Sequence, residues 1–277
     1  MTASRLAGRI GLALAALAIA AWSLFPLAWA VISSFKSGER LFDGPLLPDR
    51  IAWENYAAVF AEQPFLRNIV NSLLVAGATV AFALALAALA AFALGRLRFR
   101  GREALLLAFL GVSVLPQIAV LSGLFALVRD SGLYDSLAAL VIAYMIFTLP
   151  FCVWMLTPAI ADVPRALEEA AYVDGATPFW VLLRIFLPLL APTIAATGLL
   201  AFIAAWNEFL FALTFTLSQE TRTVPVAIAL ISGASQYELP WGRVMAASVI
   251  VTLPIIVLTL VLQRRIVAGL TAGAVRG

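Results

Sequence analysis

Six stretches of the chain, each twenty residues or longer, carry no charged side chain, and each is bounded at both ends by one. They run 10–35, 68–95, 104–128, 136–161, 185–207 and 244–263. A bilayer core about 30 Å thick needs about 20 apolar residues of helix to cross it, so each stretch can span once. With 64% hydrophobic and only 12% charged residues, the chain carries more apolar surface than one water-soluble core would hide. The expected fold class is an all-α polytopic membrane protein with six transmembrane helices, forming a single domain over residues 1–277.

The remaining charges orient the spans, because arginine-rich short loops stay cytoplasmic. Arg5 and Arg9 precede the first span, Arg96, Arg98, Arg100 and Arg102 crowd the second loop, and Arg264, Arg265 and Arg276 follow the last span. All fall on one side. The other side carries Glu39, Asp43, Asp49, Glu54, Glu62, Asp130, Asp135, Glu220 and Glu238, so both termini are expected in the cytoplasm. The first span, with Ala18-Ile19-Ala20 and Ala28-Trp29-Ala30, is too long for a cleaved secretory signal and reads as a retained helix. Residues 36–67, with Gly44-Pro45 and Pro48, are long enough for an external cap. Residues 209–243 read as an outer-side excursion, with a re-entrant helix as the alternative. Pro26, Pro116, Pro150, Pro158, Pro188, Pro192 and Pro254 fall within spans, where each can kink a helix.

Composition excludes several activities. The net charge is +3, but the basic residues lie between apolar runs and Lys36 is the only lysine, so a footprint for nucleic acid is missing. No histidine and a single cysteine, Cys152, leave no zinc site, disulfide framework or histidine-based proton chemistry. A phosphate-cradling Walker loop lacks its lysine. No catalytic residue, cofactor or metal is expected.

The loop 162–184 differs from the others. Asp162 can cap a short helix of about three turns, Pro164 is tolerated in its first turn, and Gly175 can take the left-handed position that ends it. Thr177 and Pro178 then open a second helix that runs through Arg184 into the fifth span. A capped helix with acids and an apolar side suits docking into a cleft of a soluble partner. An amphipathic helix lying in the headgroups is the alternative, although such helices usually carry basic residues.

Glu169-Ala170-Ala171, three residues, Gly175, nine residues, then Ile185-Phe186-Leu187-Pro188 resembles the signature loop of binding-protein-dependent ABC importer permeases. Glu54-Asn55-Tyr56, Asn71-Ser72, Trp206-Asn207-Glu208-Phe209 and the tail from Gln263-Arg264 to Gly273-Ala274-Val275-Arg276-Gly277 are similar to the sugar branch, and within it to the smaller permease of maltose-type importers. The resemblance implies a type I importer permease fold of the bacterial inner membrane. It implies that the loop is a cytoplasmic coupling helix seated in an ATPase subunit, with Glu169 contacting the ATPase, Gly175 shaping the bend, and Ala170, Ala171, Ile185, Leu187 and Pro188 completing the motif. It also implies a second permease, two cytoplasmic ATPase subunits and an external solute-binding protein as partners, with a carbohydrate as solute.

An ionisable residue at membrane depth is suspected of function, and Glu208 is the main such residue. It lies 20 residues after Pro188, which along a straight helix of about 1.5 Å per residue places it roughly 30 Å away, near the outer boundary. An interfacial acid in contact with outer water or a loop is the alternative. Asn71, Ser72, Gln117 and Asn207 can offer hydrogen bonds to sugar hydroxyls, or hold helices together. An ion-coupled secondary transporter is the rival function, disfavoured because the spans hold no lysine or histidine and Glu208 is the nearest acid. An intramembrane enzyme and a scaffold protein lack, respectively, catalytic groups and any reason for the signature loop.

Overall fold

The computed structural model describes residues 3–36, 47–48, 50–231 and 240–274, the last eleven of these and residues 3–7 by backbone only. Gly44-Pro45, Glu39, Asp43, Asp49, Glu238 and Val275-Arg276-Gly277 lie outside the described residues. The described residues form helices and no strand: α1 (Ala3–Ser34), α2 (Glu54–Ala61), α3 (Phe65–Arg96), α4 (Arg102–Val114), α5 (Gln117–Asp130), α6 (Leu137–Ala161), α7 (Arg165–Val173), α8 (Pro178–Val181), a π turn (Leu182–Phe186), α9 (Leu187–Leu189), α10 (Ala191–Trp206), α11 (Leu210–Phe215), α12 (Val224–Ala229) and α13 (Trp241–Ala274).

Four helices are long and apolar enough to cross a membrane unbroken: Gly8–Ser34, Phe65–Arg96, Leu137–Ala161 and Trp241–Gln263. The expected third and fifth spans are not straight. α4 and α5 meet at 90°, and Pro178–Leu189 and α10 at 80°, so the count reaches six only when each bent pair is one span. The first break follows from Leu115, held extended at φ −59°, ψ 137° because Pro116 behind it disfavours helical geometry. The second falls at Leu190 (φ −91°, ψ 8°), between Pro188 and Pro192, each of which removes a helical donor. Pro26, Pro150, Pro158 and Pro254 sit within continuous helices.

The chain divides into two compact units: Met1–Phe65 with Ile228–Leu253, and Leu66–Ala227 with Pro254–Gly277. In the first, the Asn55 side-chain amide donates to the carbonyls of Ser34 and Lys36, both at 2.9 Å, the hydroxyls of Ser34 and Tyr56 are 2.7 Å apart, and Arg243 pairs with Glu62 at 2.6 Å.

In the second unit α6 is the central rod. It is apolar on every side, the pattern of a helix covered by protein or lipid, and half of its apolar window is buried by the rest of the chain; α4 and α10 pack along it and α11 packs against α5 and α6. One cluster gathers Phe92, Leu156, Ile160, Leu182 and Phe186, with Phe92 and Phe186 edge to face at 5.2 Å; another gathers Val75, Leu140, Tyr144, Phe211 and Phe215. Lipid tails are as apolar as these side chains, so the cohesion comes from close packing. Gly95 shows how close: a Cβ there would lie 2.8 Å from Ile160 Cγ2, and its absence lets the end of α3 press onto the end of α6.

The segment after residue 208 is folded onto the rest of the unit. Phe211, Ala212, Phe215, Val224, Val226 and Ala227 are buried, so α11 and α12 each turn an apolar side inward.

Candidate functional site

Helix α7 is shorter than expected and starts later. Its first helical residue is Arg165, behind Pro164, with no side-chain cap; Asp162 instead closes α6. The reason is Pro164, whose ring keeps Val163 out of helical geometry. Gly175 does end the helix, at φ +84°, and the Thr177 hydroxyl accepts from the Trp180 amide at 3.3 Å, opening α8.

One face of α7 is fastened. Arg96, the last residue of α3, reaches it with Nε 3.3 Å from Glu168 Oε2, the two side chains being 3% and 15% exposed. The same guanidinium donates to the Val163 carbonyl at 2.5 Å and lies 4.8 Å from the centre of the Phe186 ring. Glu168 also accepts from the Tyr172 hydroxyl at 2.9 Å; burial and this carboxylate raise the Tyr172 phenol above its ordinary pKa.

Other parts of the helix are open. Glu169 is exposed and, among the described residues, makes no ion pair or hydrogen bond. An open concavity of about 570 Å³ lies between α7 and the start of the fifth span, lined by Leu167, Ala170, Gly175, Thr177, Trp180 and Ile185, and Val173 is 86% exposed. The signature residues are thus only partly brought together. Ala170, Ala171, Gly175 and Ile185 line this concavity. Leu187 lines apolar hollows between α3 and the fifth span instead, and Pro188 lies in α9 beyond the π turn.

The suspected pathway residues are not gathered at one place by any hydrogen bond among the described residues. The Asn71 side chain donates to the carbonyls of Glu220 (2.7 Å) and Arg222 (3.0 Å), and the Ser72 hydroxyl accepts from the Val224 amide at 2.8 Å, which fixes the turn before α12 onto α3. Asn207, exposed, donates back to Ile203 at 2.8 Å, and Gln117 is an exposed first residue of α5. Glu208 is 8% exposed, and its oxygens accept from the amides of Phe211 (2.8 Å) and Ala212 (3.1 Å). The straight-helix distance from Pro188 does not hold, because the 80° bend intervenes.

Sequence reasoning missed Arg96 and Glu168. Arg96 counted only as a loop charge, and its partner lies 72 positions away along the chain, beyond any motif. The one local signal was Glu168 and Tyr172 at the i, i+4 spacing that lets side chains meet.

Comparisons with known proteins cover nearly the whole chain. The family described as binding-protein-dependent transport system inner membrane component matches residues 1–271. The trehalose/maltose transport system permease protein of Thermococcus litoralis is 40% identical over 271 residues, 97% of this chain and 97% of that one. The trehalose transport system permease protein of Mycobacterium tuberculosis is 38% identical over 259 residues, 94% of each chain. Among solved structures, a bacterial ABC transporter involved in import of the acidic polysaccharide alginate superposes with a TM-score of 0.76 at 23% identity, covering 95% of this chain and 98% of that chain.

Proposed function

The chain belongs to the binding-protein-dependent transport system inner membrane components, and from that membership we propose that it is one of two permeases through which an ATP-driven importer moves a carbohydrate into the cell. A disaccharide of the trehalose and maltose kind is the favoured solute, because relatives named for those sugars are similar from end to end. The two ATPase subunits, the second permease and the external solute-binding protein are separate chains. This subunit hydrolyses no ATP, having no lysine in a phosphate-cradling loop. Both termini and the α7 loop face the cytoplasm, with the arginines.

The observation that carries the coupling assignment is the asymmetry of α7. Its inner face is tied to α3 through Arg96 and Glu168, while Glu169 is exposed without a partner among the described residues and the concavity from Leu167 to Ile185 opens between α7 and the fifth span. A short helix so held moves as a block. Seated in a groove of the ATPase, it carries nucleotide-driven closure to the spans and switches the pathway between inward-open and outward-open. Glu169 supplies the exposed charge for that contact, Ala170 lets the partner approach closely, and Gly175 allows the sharp exit. The pathway itself is assigned to the interior between this chain and the second permease, with Gln117 and Asn207 as exposed polar groups for a passing sugar; Asn71 and Glu208 hold the turns around it. The ion-coupled alternative loses its main residue, since Glu208 is occupied by backbone amides.

The test is a pull-down of tagged protein from its own membrane in mild detergent, with wild type and Glu169→Arg in parallel. Wild type should bring an ATPase and a second permease, and the variant should lose the ATPase while keeping the permease. No ATPase with wild type would overturn the reading.

A further inference from the structure

The link between α7 and the membrane helices has two covalent routes, 162–164 on one side and 174–177 on the other. Both are short connections around a proline or a left-handed glycine, which bend more readily than a helix. A third route is not covalent. The Arg96 guanidinium touches three segments at once: Val163 in the link from α6, Glu168 on α7, and Phe186 in the π turn of the fifth span. It is nearly out of solvent, where neither water nor salt weakens it much. The backbone just before it is closely packed, with Gly95 set against Ile160 and the Ala161 amide.

We propose that Arg96 is a positioning residue for energy coupling: through it a displacement of α7 reaches α3 and the π turn directly, not only along the chain. The proposal rests on the reading of α7 as the ATPase-docking helix. Arginine suits the place because its planar group donates to the Val163 carbonyl and pairs with the Glu168 carboxylate while its face lies on an aromatic ring, which a lysine ammonium does not do. The π turn is the natural receiver, since its i→i−5 bond from the Leu187 amide to the Leu182 carbonyl is a less common arrangement that one side chain can help to hold in place. α3 carries the same displacement to its far end, where Asn68, Asn71 and Ser72 hold the 219–224 turn.

The experiment uses the complete importer in lipid nanodiscs: this chain, its second permease, both ATPase subunits and the solute-binding protein. One spin label replaces Leu74 on α3, exposed in this chain, and the other an exposed span residue of the second permease. The distance between them is measured before and after trapping with ATP and vanadate, and ATP hydrolysis is measured on the same samples. Wild type should switch to a second distance on trapping. Arg96→Gln should still hydrolyse ATP and hold its ATPase, while the switched population relative to the unswitched falls roughly tenfold, within the usual range of a coupling free energy. Arg96→Lys, which keeps the charge against Glu168 and loses the fork, should fall between the two. Switching by Arg96→Gln at the wild-type level would overturn the proposal. So would hydrolysis and switching that decline in step across the variants, since that is the mark of a residue that only maintains the fold. A wild-type assembly that binds no ATPase overturns the docking reading instead, so the two failures are told apart.

Discussion

At the scale of single residues, Asp135 does the most with the least. It sits at φ 59°, a left-handed backbone that aspartate tolerates better than most side chains, and this turns its carboxylate toward the 216–222 segment. There one oxygen accepts from the amides of Leu217 (2.8 Å) and Ser218 (3.1 Å) and from the Thr221 hydroxyl. Burial alone would raise its pKa, but the hydrogen bonds outweigh burial and bring it from 3.8 down to about 2. A carboxyl whose folded pKa is depressed contributes stability that is complete above its unfolded value and disappears as pH falls through the folded one. The window is therefore about 3.8 down to about 2. Hydrogen exchange at the Leu217 and Ser218 amides, corrected for the intrinsic rate, should show protection that is steady above this window and lost within it. Asp135→Asn should remove the step, and a step that persists in that variant would assign it to another group.

At the scale of elements, α11 has six residues, too few to hold a helix by itself. Glu208 makes it possible by accepting from the Phe211 and Ala212 amides, which are otherwise buried without partners. Glu208→Ala should cost about 1 to 3 kcal/mol, the penalty of unpaired buried donors, and lower the thermal unfolding midpoint in detergent; Glu208→Gln, which keeps an acceptor, should cost less. Equal midpoints for all three proteins would refute the capping role. The same element shows what a sequence can and cannot reveal. The unbroken helices α1, α3, α6 and α13 were legible as uncharged runs, because a membrane helix must satisfy its backbone internally and stay apolar for its whole length. The two bent pairs were not, since a run of uncharged residues has the same length bent or straight. Proline was no guide, for Pro150 and Pro158 lie in the continuous α6 while Pro116 and Pro192 flank breaks. In the signature loop, Gly175 and Thr177 were readable because their roles are local, whereas the Arg96 to Glu168 pair depends on two helices meeting.

For the whole molecule, the arginine bias sets which side each loop occupies. Cys152 is the only cysteine and is fully buried, so new cysteines can be labelled against a silent background. In intact cells an impermeant maleimide should leave Ser4→Cys and Ala272→Cys untouched until the membrane is opened, and should label Ser131→Cys at once. Labelling of Ser4→Cys from outside would invert the topology. Helix α1 raises a different matter at this scale. None of its apolar window is buried by the rest of the chain, so beyond the hydrogen bonds at its C-terminal end the cover over this helix behaves as an affinity, set by how much lipid or neighbouring protein is at hand. Two samples of this one sequence, diluted to different degrees in detergent, would hold the same internal contacts and still differ in how firmly the first helix is kept.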